Sequence, residues 1–187
     1  MISVIPLQLE YTAHESVEPV GWDADNCPRS PRFNDIYRSR SGGLQQARTV
    51  FLGGCQLPHA WHKQPQFTVL ETGFGLGLNF LTTWAAWEAD PNRCTQLHYL
   101  AIEAYPVAAA DITRSVAALE SPQLHAQTQA LTRAWRTFST GIHRLDVVPQ
   151  GIELTLAIGD VQQMLPLLQL RQLRADAIYL DGFSPAL

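Results

Sequence analysis

The sequence predicts an α/β fold with a mainly parallel sheet, and three observations carry that expectation. Beyond Pro65, short apolar runs alternate with amphipathic stretches, the order that builds strand–helix units. The first of these runs leads directly into a glycine-rich turn at 73–77. Each of four runs delivers an acid at or just past its end: Glu71, Glu103, Asp160 and Asp181. Sheets of this kind bind ligands beyond the carboxyl ends of their strands.

The elements follow in order. Residues 1–40 are rich in turn formers (Pro19, Gly21, Pro28, Pro31) and offer one short strand, at 5–11. A helix is expected over 44–52, with Gly53 and Gly54 to stop it. Residues 67–71 (FTVLE) have the length of a buried strand. After the glycines, Phe80, Leu81, Trp84 and Trp87 mark one face of a helix over 79–87, broken by Asp90-Pro91-Asn92. A second strand covers 97–102 and ends on Glu103. Pro106 suits the first turn of a helix reaching about Leu119, and another helix fits 122–138. Residues 144–148 and 152–158 flank Pro149-Gln150-Gly151 as a hairpin or a strand with a turn. Gly159-Asp160 opens a short helix with Val161, Met164, Leu165 and Leu168 on one side. The strand at 177–180 (AIYL) then delivers Asp181-Gly182-Phe183-Ser184-Pro185. Residues 1–66 thus read as an N-terminal extension and 67–187 as the main α/β domain.

Composition narrows the function classes. The 187 residues suffice for one domain, and 46% hydrophobic against 16% charged residues exclude general disorder. A net charge of −4 excludes a generally basic nucleic-acid binder, though local patches remain open. Five acids and no base fall in residues 1–25, whereas 29–48 hold five arginines against the single acid Asp35. Arg forks match phosphate geometry, so this segment is either a solvated surface or an anion contact. Three widely spaced cysteines read as reduced thiols in the cytoplasm. His59 and His62 are the one close histidine pair, in a Pro-flanked stretch with no carboxylate or thiol partner expected, so no metal site is predicted. Neither a signal peptide nor a membrane span is predicted.

The four strand ends carry the chemistry. Glycines at alternate positions in Glu71-Thr72-Gly73-Phe74-Gly75-Leu76-Gly77 let the backbone turn tightly and approach a ligand, with a helix N-terminus behind. A nicotinamide fingerprint would need glycine at 78, where Leu78 stands, which disfavours a dinucleotide oxidoreductase. An acid two residues before G-x-G-x-G is instead the pattern of S-adenosylmethionine-dependent methyltransferases. Glu103 suits the two hydroxyls of a ribose. Asp160 either accepts from an adenine amine or simply caps the next helix. Asp181, beside an aromatic, either stands where a methyl acceptor would lie or is simply a turn aspartate.

The runs FLGGCQLP, FTVLETGFGLGLNFLTTWAAW, LHYLAIEAYP, LTLAIGDVQQMLP and AIYLDGFSPA resemble the methyltransferase domain of the MnmC family, bifunctional enzymes that modify the tRNA wobble uridine. FNDIYRSRSGGLQQARTVFLGG fits the same family, and the resemblance spans nearly the whole chain from about residue 8. It implies a Rossmann-like methyltransferase fold and S-adenosylmethionine as cofactor. It further implies N-methylation of an aminomethyl group on 2-thiouridine in tRNA. Carried over, Glu71, Gly73, Gly75 and Gly77 hold the methionine part of the cofactor, joined by Asn79 in the cofactor set. Glu103 holds the ribose, Asp160 the adenine side, and Asp181 the reacting amine. Phe74 and Phe183 would flank the methyl donor, and the arginines of 29–48 would meet tRNA phosphates.

The resemblance also implies partners. Full-length members carry an FAD-dependent oxidase domain, which nothing in this chain covers. The family's Asp-Gly-Phe-x-Pro-Ala turn normally continues into further sheet, whereas this sequence ends at Leu187. The expectation is therefore a fold incomplete at its C-terminus, with 177–180 as an open apolar edge and part of the acceptor wall missing. A methyltransferase for another amine, or a fragment that binds cofactor or tRNA without turnover, are the alternatives.

Overall fold

The computed structural model describes residues 17–40, 42–147, 151–170 and 173–183. The strand expected at 5–11 lies outside them.

A small antiparallel sheet comes first: β1 (Gly21–Trp22), β2 (Pro28–Ser30) and β3 (Asp35–Ile36). Helix α1 (Gly43–Gln46) runs on as a wider π-helical stretch, Ala47–Leu52. Gly53 and Gly54 do not stop it, since the chain stays helical through both. The stop is Gln56, left-handed at φ 56°. Leu57 N–H donates to Leu52 and Gln56 N–H to Gly53, so the freed carbonyls are satisfied in a Schellman turn with glutamine in glycine's usual place.

The main sheet holds β4 (Gln66–Thr72), β5 (Gln96–Glu103), β6 (Gly141–Leu145), β7 (Ile152–Ile158) and β8 (Ala177–Leu180) in the order β6-β7-β5-β4-β8. All neighbours are parallel except β6 with β7, the expected hairpin. The chain builds outward from β4 through β5 to β7, then returns to lay β8 on the other side of β4. That reversal is a topological switch point, with a crevice at the carboxyl ends of β4, β5 and β8.

Helices α2 (Leu78–Ala89), α3 (Ala109–Val116), α4 (Pro122–Ala134) and α5 (Val161–Leu170) complete the fold. Strand residues alternate faces, and the packing follows that period. Phe67, Val69, Leu97, Tyr99, Ala177 and Tyr179 join Phe80, Leu81 and Trp84 of α2 in the larger core. Leu100, Ile102 and Ala157 face the other way, onto Met164 and Leu168 of α5. Each fully buried Leu or Phe contributes about 1.5–3 kcal/mol.

Further boundaries differ from the sequence reading, and β6 runs over Gly141–Leu145 where the sequence predicts a strand over 144–148. Pro106 does not open α3. Val107 instead bridges to Glu18, whose N–H donates to the Pro106 carbonyl (2.9 Å), and this tie holds 106–108 extended until Ala109. Helix α4 begins as expected, with Ser121 capping Leu124 N–H and proline in the first turn, but ends at Ala134. Strand β8 does lie at a sheet edge, with Ile178 and Leu180 54% and 75% exposed.

Candidate active site

A cavity of about 640 Å³ opens at the switch point, within the range of small-molecule sites. Gly73, Gly75, Asn79, Glu103, Asp160 and Asp181 all line it, so six of the eight residues singled out from the sequence converge on one space. Glu71 and Gly77 do not reach it.

The loop shape explains the glycines. Gly73, Gly75 and Gly77 have φ of 88°, 53° and 73°, a left-handed backbone that other residues rarely adopt. At Gly75 an added Cβ would come 3.3 Å from the Tyr37 ring. Gly77 is the N-cap of α2 and packs inward, where a Cβ would meet Phe74 at 2.9 Å. Its place is in the turn, away from the ligand space.

Glu103 is anchored by its own surroundings. Oε2 accepts Gly75 N–H at 2.8 Å and Oε1 accepts Tyr105 N–H at 2.7 Å, which ties the β5 end to the glycine loop. Each carboxylate oxygen keeps a second lone pair for a ribose hydroxyl. Burial raises its pKa above the ordinary carboxylate value, against the pull of these amides. Asp160 caps α5, with Oδ1 accepting Gln162 N–H (2.8 Å), and the residue also lines the cavity.

Asp181 follows β8, and its Oδ2 accepts one hydrogen of the Asn79 amide at 2.7 Å. The other amide hydrogen goes to Glu71 Oε1 at 2.8 Å. Glu71 Oε2 accepts the Tyr99 hydroxyl at 2.9 Å. Strand alternation puts Glu71 on the α2 face with Val69, and it is fully buried. Glu71 is therefore not a cofactor ligand by contact; it stands behind Asn79. Burial holds its carboxyl well above the ordinary pKa despite two hydrogen bonds, and burial also raises that of Asp181.

Sequence reading missed the N-terminal segment's share of the site. Tyr37, Arg38 and Phe33 line the cavity. Phe33 stacks on Phe183 with centroids 4.7 Å apart, and Tyr37 meets the same ring edge-on at 4.9 Å. Phe183 thus belongs to an aromatic group at the site. Phe74, by contrast, turns its ring into the core, 3% exposed and stacked on Trp135 at 5.4 Å. Of the arginines, Arg32 binds Glu18 (3.0 Å) and covers the Tyr105 ring, and Arg40 binds Asp23 (2.7 Å). His62 has an acid partner after all, Asp90 at 2.8 Å, brought from 28 residues away. Among the described residues no group of three His, Cys, Asp or Glu is placed to hold a metal, and no helix is long and apolar enough to cross a membrane.

Comparison with known proteins gives the same class. A family described as S-adenosyl-L-methionine-dependent methyltransferase matches residues 122–187. The crystal structure titled MNMC2 from Aquifex aeolicus superposes with a TM-score of 0.63 at 18% identity, covering 94% of this chain and 52% of that one. The chain thus has a Rossmann-like methyltransferase fold, and its residues 122–187 are similar to S-adenosylmethionine-dependent methyltransferases. The glycine cradle and the carboxylates at its rim fit that cofactor. Two curated relatives carry the name tRNA 5-methylaminomethyl-2-thiouridine biosynthesis bifunctional protein MnmC. That of Acidovorax sp. (strain JS42) is 52% identical over 90% of this chain, and that of Polaromonas naphthalenivorans (strain CJ2) is 54% identical over 87%. The chain spans about a quarter of the length of these two relatives (26% and 25%).

Proposed function

We propose that the chain N-methylates the aminomethyl group on a wobble 2-thiouridine of tRNA. The observation that carries this reading is the Asp181 carboxylate, lining the cofactor cavity beside the glycine loop. The relatives' names, which specify tRNA and a methylaminomethyl-2-thiouridine, support the substrate.

S-adenosylmethionine supplies, when bound, a methyl group on a positive sulfur that departs with the carbon–sulfur electron pair. The rest falls to the chain's residues. Gly73 and Gly75 hold the methionine part, Glu103 the ribose and Asp160 the adenine side. An alkylamine has a pKa of about 10 and arrives mostly protonated. Asp181 attracts that ammonium, takes its proton and passes it to water, leaving the nitrogen lone pair to attack the methyl carbon. Positioning supplies most of the remaining rate. The bifunctional relatives suggest that an FAD-dependent oxidase domain and the rest of the methyltransferase domain accompany this chain. A tRNA substrate would place the protein in the cytoplasm.

Mass spectrometry of tRNA nucleosides, after incubation with cofactor and aminomethyl-bearing tRNA, tests the reading. Conversion to the methylaminomethyl form that stops in Asp181→Asn, with cofactor binding retained, is the expected result. Cofactor binding without any methylated nucleoside would leave a binding fragment only.

A further inference from the structure

One hydrogen-bonded line runs from the core to the cavity through four side chains: Tyr99 on β5, Glu71 on β4, Asn79 on α2 and Asp181 after β8. We propose that Asn79 is a positioning residue for the methyl transfer, and that Tyr99 and Glu71 act through it to fix the Asp181 carboxylate with Oδ1 toward the acceptor amine. This rests on the function proposed above.

The geometry supplies the reasons. Asp181 sits between an edge strand and Gly182, so little else restrains its side chain. Among the described residues Oδ2 is committed to Asn79 and Oδ1 has no partner. An amide's two N–H bonds are fixed in one plane, so anchoring the first on Glu71 aims the second. Acceptors on both sides also select the amide's NH₂ group over its oxygen. Glu71 could not anchor anything if its own carboxyl turned, and the Tyr99 hydroxyl on Oε2 prevents that. Tyr99 is fully buried and packs edge-on against Phe80 of α2 at 5.0 Å, so the line has a fixed far end. Glu71, kept out of the cavity, thereby gains a role that its motif position alone does not suggest. The titratable groups that feel the Asp181 charge are Glu71 and Tyr99, both members of the same line, and neither is hydrogen-bonded to it directly.

The test follows the Asp181 side-chain carboxyl by carbon-13 NMR titration in this chain, with cofactor affinity by calorimetry. Asn79→Ala should raise the Asp181 midpoint by about one pH unit, because a hydrogen bond to its ionised form is lost. Cofactor affinity is read in the same variant, because Asn79 also lines the cavity. Tyr99→Phe, which keeps the ring in the core, should move the midpoint the same way by less. It should move it no further in the Asn79→Ala background. An unmoved midpoint in the single variants, or additive shifts in the double variant, overturns the inference. A loss of cofactor affinity in Asn79→Ala with the Asp181 midpoint unmoved also overturns it, leaving Asn79 a cofactor ligand only. If the shifts occur and no nucleoside is methylated, the positioning stands and the proposed function fails.

Discussion

Gly73 and Asp181 touch: the space a Cβ on Gly73 would need is filled by the main-chain carbonyl oxygen of Asp181. Gly73 N–H donates to Ile102 (2.8 Å), and Asp181 N–H donates to Thr72 (3.1 Å). The glycine loop and the turn carrying the acceptor-side carboxylate are therefore knit at the backbone, and neither moves without the other.

Gly73→Ala should lose about 1–3 kcal/mol of stability, from a strained left-handed backbone and a displaced Asp181 turn. Cofactor affinity should fall more than tenfold. Gly54→Ala, in a helical turn with open space around it, should be neutral or slightly stabilising. Thermal unfolding and calorimetry on both variants check the contrast.

Glu103→Ala should weaken cofactor binding by more than tenfold. It removes the ribose acceptor and also the clamp on Gly75 N–H. Calorimetry checks this, and unchanged affinity would end the ribose assignment.

Glu71 makes a pH-dependent contribution whose sign is set by its raised pKa. The folded state holds this proton more tightly than the unfolded chain. Stability from Glu71 is thus complete below the unfolded value of about 4.3 and declines as pH rises toward the folded value. Glu71→Gln, neutral throughout, should show a flatter stability profile above pH 5 in urea unfolding. A parallel profile would mean that Glu71 is already ionised in the fold.

The arginines now divide into two groups. Arg32→Ala leaves the buried Glu18 without its ion pair and should cost roughly 1–3 kcal/mol, read as a lower Tm. Arg48 is exposed on the π-helical stretch. If it meets tRNA phosphate, Arg48→Ala should reduce the slope of log affinity against log salt by about 0.7–0.9, with Tm unchanged.

Strand β8 leaves one edge of the sheet uncovered by any described strand, and Ile178 and Leu180 are exposed on it. The isolated chain should self-associate, and Ile178→Lys should reduce this in sedimentation velocity. A clean monomer before the substitution would refute the edge argument.

Much of this was legible in the sequence, for physical reasons. The strands declared themselves because a parallel sheet buried on both faces demands continuous apolar runs. Glycines at 73, 75 and 77 announced the loop because no other residue accepts that backbone cheaply. Asp160 could not be resolved between capping and binding because one position both caps α5 and lines the cavity. Tyr99 lay hidden inside a strand, where hydroxyl and apolar ring look alike until a partner is known. Yet Glu71 and Asp181 each follow a core residue by two, Val69 and Tyr179, and that period already put both on the α2 face. Phe33, Tyr37, Pro106 and His62 were misread or missed because long-range contacts govern them: Phe183, Glu18 and Asp90 reach them from distant parts of the chain. Local pattern carries no trace of such pairs.

The return of β8 to the far side of β4 also sets an order in time. Val69–Thr72 pair with β5 some thirty residues on, but with β8 only after more than a hundred. Contacts this distant in sequence close late, because the loop entropy is spent before the pairing rewards it. During synthesis the glycine loop, Glu71 and Asn79 can be in place while the position of Asp181 is still unmade. A strand that leaves the ribosome well after β4, α2 and β5 therefore carries the side chain on which the proposed chemistry turns, so a nascent domain has a binding loop before it has a reaction centre.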